Sequence, residues 1–131
     1  MSLEGCVIVV DDDDAVRQSL KFALELEGFR VRAFRNGEEL LAARDLPAHG
    51  CLVIDYHMPS LDGLALIGRL RQNAVALPAI LITAKATAEM RRRALLAGCR
   101  AVLEKPFEDS ALSDCIREAL SGDGEERRRS G

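Results

Sequence analysis

The sequence predicts an α/β domain: five strand-then-helix units folded into one doubly wound parallel sheet, (βα)5. Three observations predict it. Apolar runs of four or five residues recur along the chain, too short for a typical helix and rich in β-branched residues, as strands buried on both faces are. Stretches with helical spacing of apolar residues separate them. Polar or charged residues stand at the carboxyl ends of four of the five runs, the edge at which such sheets bind ligands.

Each element follows in order. Residues 6–10 form a buried strand, and four aspartates follow at once. Residues 15–27 space Val16, Leu20, Ala23, Leu24 and Glu27 as a helix, with Asp14 as its expected cap and Gly28 as its stop. Residues 30–34 alternate, as a strand near a sheet edge does. Asn36 and Gly37 turn the chain into a short helix over 38–44, with Leu40 and Leu41 inward. Residues 51–55 run apolar into Asp55, and Pro59 stops the chain four positions later. Asp62 and Gly63 open a helix with Leu66, Ile67 and Leu70 on one face, broken at Leu77 and Pro78. Residues 79–82 are the fourth strand, ending in Thr83, and 87–97 a weakly amphipathic helix closed by Gly98. Residues 101–104 are the fifth strand, ending in Lys105 and Pro106. Leu112, Cys115, Ile116, Ala119 and Leu120 then fall on one helical stripe. From these elements, residues 5–121 are expected to form one domain. Residues 122–131 are expected to be a charged tail or linker remnant that frays, since it lacks apolar residues.

The bulk composition narrows the function. A chain of 131 residues suits one domain, and 48% hydrophobic residues are enough for a real core. No apolar run approaches the roughly 20 residues of a membrane span, and residues 1–5 have neither the basic region nor the apolar core of a signal peptide. The expected location is cytoplasmic, with no membrane contact. Cys6, Cys51, Cys99 and Cys115 are widely spaced and not near either histidine, so they read as small apolar side chains rather than zinc ligands or a disulfide scaffold. A net charge of −3 argues against nucleic acid as a ligand of this chain.

An acidic residue at a strand end either marks the exit into solvent or serves chemistry at the mouth of a crevice; for Asp55 alone, both readings stand. The remaining strand ends decide. In the order 2-1-3-4-5 the first and third strands are neighbours, and the reversal of strand order lies between them. Asp11, Asp12 and Asp55 then converge, with Thr83 and Lys105 on the same edge. Carboxylates 4 Å apart repel by about 4 kcal/mol at an effective dielectric of 20, so cations must compensate. Lys105 supplies one charge, and a hard divalent ion with oxygen ligands, Mg²⁺, fits the remainder. A carboxylate, a hydroxyl and an ammonium beside Mg²⁺ describe a phosphoryl-transfer site with Asp55 as nucleophile and Thr83 and Lys105 holding the phosphoryl oxygens.

These residues resemble a known family. Val10-Asp11-Asp12-Asp13, Ile54-Asp55-Tyr56-His57-Met58-Pro59, Asp62-Gly63, Ile82-Thr83-Ala84 and Glu104-Lys105-Pro106-Phe107 are similar, in order and spacing, to the receiver domains of two-component response regulators, whose topology is flavodoxin-like. The resemblance covers residues 5–121. It implies that Asp55 accepts a phosphoryl group from a phosphohistidine on a sensor histidine kinase or a phosphotransfer protein. It implies that Asp12 and Asp55 hold Mg²⁺ through side chains and His57 through its backbone carbonyl, with Asp11 acting mostly through water. It further implies that Thr83 swings to the phosphoryl group, that the Lys105–Pro106 bond is cis, and that the face of the fourth helix, fifth strand and fifth helix meets a partner, often a second copy. Such a domain is not an enzyme in the ordinary sense; it catalyses only its own phosphorylation and dephosphorylation. The motif details look most similar to receivers at the front of transcriptional regulators.

The sequence departs from the family pattern at Val102, where an aromatic switch residue is usual; a stiff, small side chain cannot make that toggle, which shifts the expected signal to the segment after Thr83. His57 and Lys85, two positions beyond Asp55 and Thr83, flank the pocket and are possible modulators of phosphoryl lifetime. Two arginine runs, at 91–93 and 127–129, read as solvated faces, or the first as a partner for Asp109, Asp114 or Glu118 of a dimer mate. A competing reading is a Mg²⁺-dependent phosphatase with its nucleophile in the Asp11-x-Asp13 motif; a plain binding module is a third.

Overall fold

Five strands and five helices alternate along the chain: β1 (Cys6–Val10), α1 (Asp14–Leu26), β2 (Arg30–Phe34), α2 (Gly37–Ala42), β3 (Gly50–Asp55), α3 (Gly63–Gln72), β4 (Ala79–Thr83), α4 (Ala88–Leu96), β5 (Cys99–Glu104) and α5 (Asp109–Ser130). The structure is a computed structural model that describes residues 5–130, with the backbone alone at 109 and 122–130. The sheet has the order β2-β1-β3-β4-β5 and every neighbouring pair is parallel, as the alternation of elements predicts.

Each strand serves two cores, because successive side chains point to opposite faces. Ile8, Val10, Leu52, Ile54, Ala79 and Leu81 pack with Leu40 of α2, Leu66, Ile67 and Leu70 of α3, and Met90 and Ala94 of α4. Val7, Val9, Cys51, Val53, Ile80 and Ile82 pack with Leu24 of α1 and with Leu112, Ile116, Ala119 and Leu120 of α5. Burial on both faces is why β1, β3 and β4 read as unbroken apolar runs. β2 and β5 are the edge strands, and apart from Cys99 their residues are exposed or half-buried.

Four details differ from the sequence reading. Asp13, not Asp14, caps α1: its side chain accepts the Val16 N–H at 3.1 Å. α3 stops at Gln72, well before Pro78, because Asn73 caps it and Ala74 turns left-handed with φ 65°. β5 begins at Cys99, two residues early; Cys99 pairs with Ala79 and Ala101 with Ile80, so Arg100 is an extra residue in a bulge. Finally, α5 does not fray after Gly122 but runs to Ser130. Glu and Arg, which make up residues 125–129, are good helix formers. Residues 1–4, and the side chains of Asp109 and of the 127–129 arginine run, lie outside the described residues.

The four cysteines are free thiols. Burial pushes the Cys51 thiol up to about 12, so it behaves as a small apolar side chain. No helix among the described residues is long and apolar enough to cross a membrane.

Candidate functional site

The hydrogen-bond ladder of the sheet runs one step past its strands at the carboxyl edge. The Asp11 N–H donates to the Phe34 carbonyl at 3.2 Å, the Tyr56 N–H to Ile82 at 2.7 Å, and the Lys105 N–H to Thr83 at 2.8 Å. The residues with chemistry are therefore carried on rigid backbone rather than on free loops. Gly63, at the start of α3, shapes the same spot: a Cβ there would lie 2.7 Å from the Asp55 carbonyl oxygen and 3.0 Å from the Tyr56 Cα. Only glycine lets α3 start so close to β3.

Asp11, Asp12 and Asp55 come together as expected, each offering a carboxylate oxygen within 4.8 Å of the others. Asp11 and Asp55 are buried and Asp12 is exposed. Lys105 reaches in, with Nζ 3.5 Å from Asp55 Oδ1 and 3.9 Å from Asp11 Oδ2. One ammonium cannot balance three carboxylates. Burial, reinforced by the Asp11 charge and opposed by Lys105, raises the Asp55 carboxyl to about 6. Burial likewise raises Asp11, against the Asp13 backbone N–H and Lys105. Asp11 Oδ1 accepts that Asp13 N–H at 2.9 Å, while the buried Oδ2 has no hydrogen-bond partner among the described residues. A buried carboxylate oxygen left open among other carboxylates is what a hard cation fits.

Thr83 is buried at the same edge, but its hydroxyl is turned to its own loop: Oγ1 donates to the Lys85 carbonyl at 3.3 Å and accepts the Lys85 N–H at 3.2 Å. The Lys85 and His57 side chains are exposed. His57 sits edge-on to Tyr56, with ring centroids 4.8 Å apart, beside an open hollow of about 480 Å³ lined by Tyr56, His57, Met58, Pro59 and Asp62. Val102 is half-buried against the α3–α4 core, and its carbonyl accepts from Arg91 at 3.4 Å. The Lys105–Pro106 peptide is cis. Asp13 Oδ1 is taken up by the α1 cap.

Three residues near the site escape the sequence reading. Arg17 is buried, and its guanidinium donates to the Asp11 carbonyl at 2.8 Å and to the Asp14 carboxylate. The signal was available: Arg17 falls three residues before Leu20 and seven before Leu24, so a charged residue occupies the inward stripe of α1. Gly63 reads from sequence as a helix opener and a piece of the family pattern, without its close packing on β3. Glu104 accepts the Ala86 N–H at 3.2 Å and so ties the end of β5 to the loop after Thr83, a contact no local pattern predicts.

Known proteins share this arrangement. The family model described as the response regulator receiver domain matches residues 7–117. The transcriptional regulatory protein FixJ of Bradyrhizobium diazoefficiens is 36% identical over 120 residues, which are 92% of this chain and 58% of that protein. The DNA-binding transcriptional regulator NtrC of Salmonella typhimurium is 36% identical over 117 residues, 89% of this chain and 25% of that protein. The crystal structure of FixJ-N superposes with a TM-score of 0.84 at 36% identity, covering 92% of this chain and 96% of the other. The chain thus spans little more than half of FixJ and a quarter of NtrC. The matched segment takes in every strand of the sheet and the carboxylates beyond β1 and β3, and on that ground the chain belongs to the response regulator receiver domain family, the phosphorelay signalling domains of two-component systems rather than classical enzymes.

Proposed function

We propose that Asp55 is the phosphoryl acceptor of this receiver and that Asp11, Asp12 and Asp55, with the His57 carbonyl, hold Mg²⁺. The observation that carries the reading is the open Oδ2 of buried Asp11 facing Asp55 and Lys105. When bound, Mg²⁺ supplies positive charge to the phosphoryl oxygens in the transition state. An Asp55 oxygen attacks phosphorus in line, and the bond from phosphorus to the donor, a histidine kinase imidazole or a small phosphoanhydride, breaks as the donor leaves with the electron pair. Lys105 holds one phosphoryl oxygen, and its ion pair with Asp55 becomes one with the phosphoryl group. Thr83 exchanges its two contacts with Lys85 for a phosphoryl oxygen, which draws the 84–86 segment inward.

With Val102 in place of an aromatic, the signal travels through that segment and α4. Leu95 and Leu96 at the end of α4 are exposed at 73% and 82%, and Asp114 and Glu118 are exposed acids on α5. They support a homodimer through α4, β5 and α5, without nucleic acid contact by this unit. Residues 5–121 serve as the receiver unit, and 122–131 as a charged tail or linker remnant. His57 and Lys85, exposed beside the pocket, set how readily water reaches the acyl phosphate.

The test is acetyl phosphate with Mg²⁺, read by intact mass. The expected result is one added phosphoryl group on the wild type and none on Asp55→Asn. Equal labelling of Asp55→Asn overturns the assignment.

A further inference from the structure

Arg17 is a buried cation set beside a pocket that must attract cations. It is 7% exposed and sits near the start of α1. Its Nη1 donates to the Asp11 carbonyl at 2.8 Å and its Nη2 to the Asp14 carboxylate. These two acceptors bracket the β1–α1 connection, residues 11–14, which carries Asp11 and Asp12.

The remaining bonds of Asp11 make the purpose plain. Its N–H donates to the Phe34 carbonyl at 3.2 Å, its carbonyl accepts from Arg17, and its Oδ1 accepts the Asp13 N–H at 2.9 Å. Three of its four hydrogen-bonding groups are thereby fixed, and the fourth, Oδ2, is open toward Lys105 at 3.9 Å. Without Arg17 the peptide between Asp11 and Asp12 has a buried carbonyl with no partner and is free to rotate, and that rotation re-aims both carboxylates.

We propose that Arg17 is a positioning residue for the cation site, clamping the β1–α1 connection so that Asp11 and Asp12 face Asp55. A planar fork suits this role, since one guanidinium reaches two acceptors at once, whereas an ammonium is a point charge without fixed donor directions. The inference rests on the reading of the pocket as a Mg²⁺ site.

The sign of one measurement separates positioning from simple proximity. Arg17 is a positive charge near a divalent cation, so deleting that charge should by Coulomb's law tighten the site. A clamp predicts the reverse. The experiment is a Mg²⁺ titration followed by amide chemical shifts of Asp12, Asp55 and His57, on wild type, R17Q and R17K. The expected result is about tenfold weaker Mg²⁺ binding in R17Q, the usual scale for losing a group that orients a metal ligand. R17K, which keeps the charge but not the fork, should fall between R17Q and wild type. Unchanged or tighter binding in folded R17Q overturns the proposal; should R17Q not fold, unchanged binding in R17K does so. A wild type whose amides do not respond to Mg²⁺ overturns the reading of the pocket, and this inference with it.

Discussion

The two edges of the sheet contrast sharply. At the amino edge, a cavity of about 540 Å³ is lined by Glu27, Gly28, Phe29, His49, Arg117, Leu120 and Ser121. Its charges are balanced: the Arg117 guanidinium lies 2.7 Å from Glu27 and 5.2 Å from the centroid of the Phe29 ring. At the carboxyl edge the adjoining hollow is smaller, about 480 Å³, but three carboxylates meet one ammonium and a buried oxygen is left open. Space is thus a poor guide to chemistry in this molecule, and uncompensated charge a good one. A settled ion pair has nothing to gain from a ligand, whereas crowded carboxylates gain much from a cation.

The contrast makes its strongest prediction in stability. Asp55 titrates near 6 in the folded chain against an ordinary 3.8, so the folded state holds the proton more tightly. Its contribution to stability is whole below the ordinary value and is lost as pH rises through about 6. In chelator at neutral pH, Asp55→Asn should therefore be more stable than wild type by about 1–3 kcal/mol, with the gap closing as the pH approaches the unfolded carboxyl value. Urea denaturation across that range checks it. A gap independent of pH would show that Asp55 carries no charge strain.

A step smaller is the loss of one ligand. Asp12→Asn should weaken Mg²⁺ binding by roughly tenfold, since an exposed carboxylate contributes charge to a hard-cation site without a folding role. Amide-shift titration measures it, with thermal stability changed little. The smallest effect belongs to the amino edge. Arg117→Ala removes a half-exposed ion pair and a cation–π contact and should cost about 1 kcal/mol in urea denaturation, with Mg²⁺ binding and phosphorylation unchanged. A large change in Mg²⁺ affinity there would dissolve the contrast between the two edges.

Legibility followed the range of the interactions. β1, β3 and β4 were visible as apolar runs because both faces of each are buried, and Asn36, Asp62 and Thr87 cap helices as their residue types suggest. The Asp11, Asp12, Asp55 and Lys105 pocket was also legible, because a parallel βα order places all strand ends on one edge. The bulge at Arg100 was not, since it depends on how β5 meets β4. Nor was the left-handed turn at Ala74 that ends α3 early, a conformation glycine or asparagine would have signalled.

By itself the amino-acid sequence determined the alternation of elements and the side chains that stand at the strand ends, because periodicity and chain order act locally and repeat. Only the tertiary structure decided which of those groups are satisfied: Asp13 to the α1 cap, Thr83 to the Lys85 backbone, Arg17 to the Asp11 carbonyl, and Asp11 Oδ2 to no hydrogen-bond partner among the described residues. Hydrogen bonds fall off within a few tenths of an ångström and depend on direction, so they are settled by the final packing of helices on the sheet and leave little trace in residue spacing.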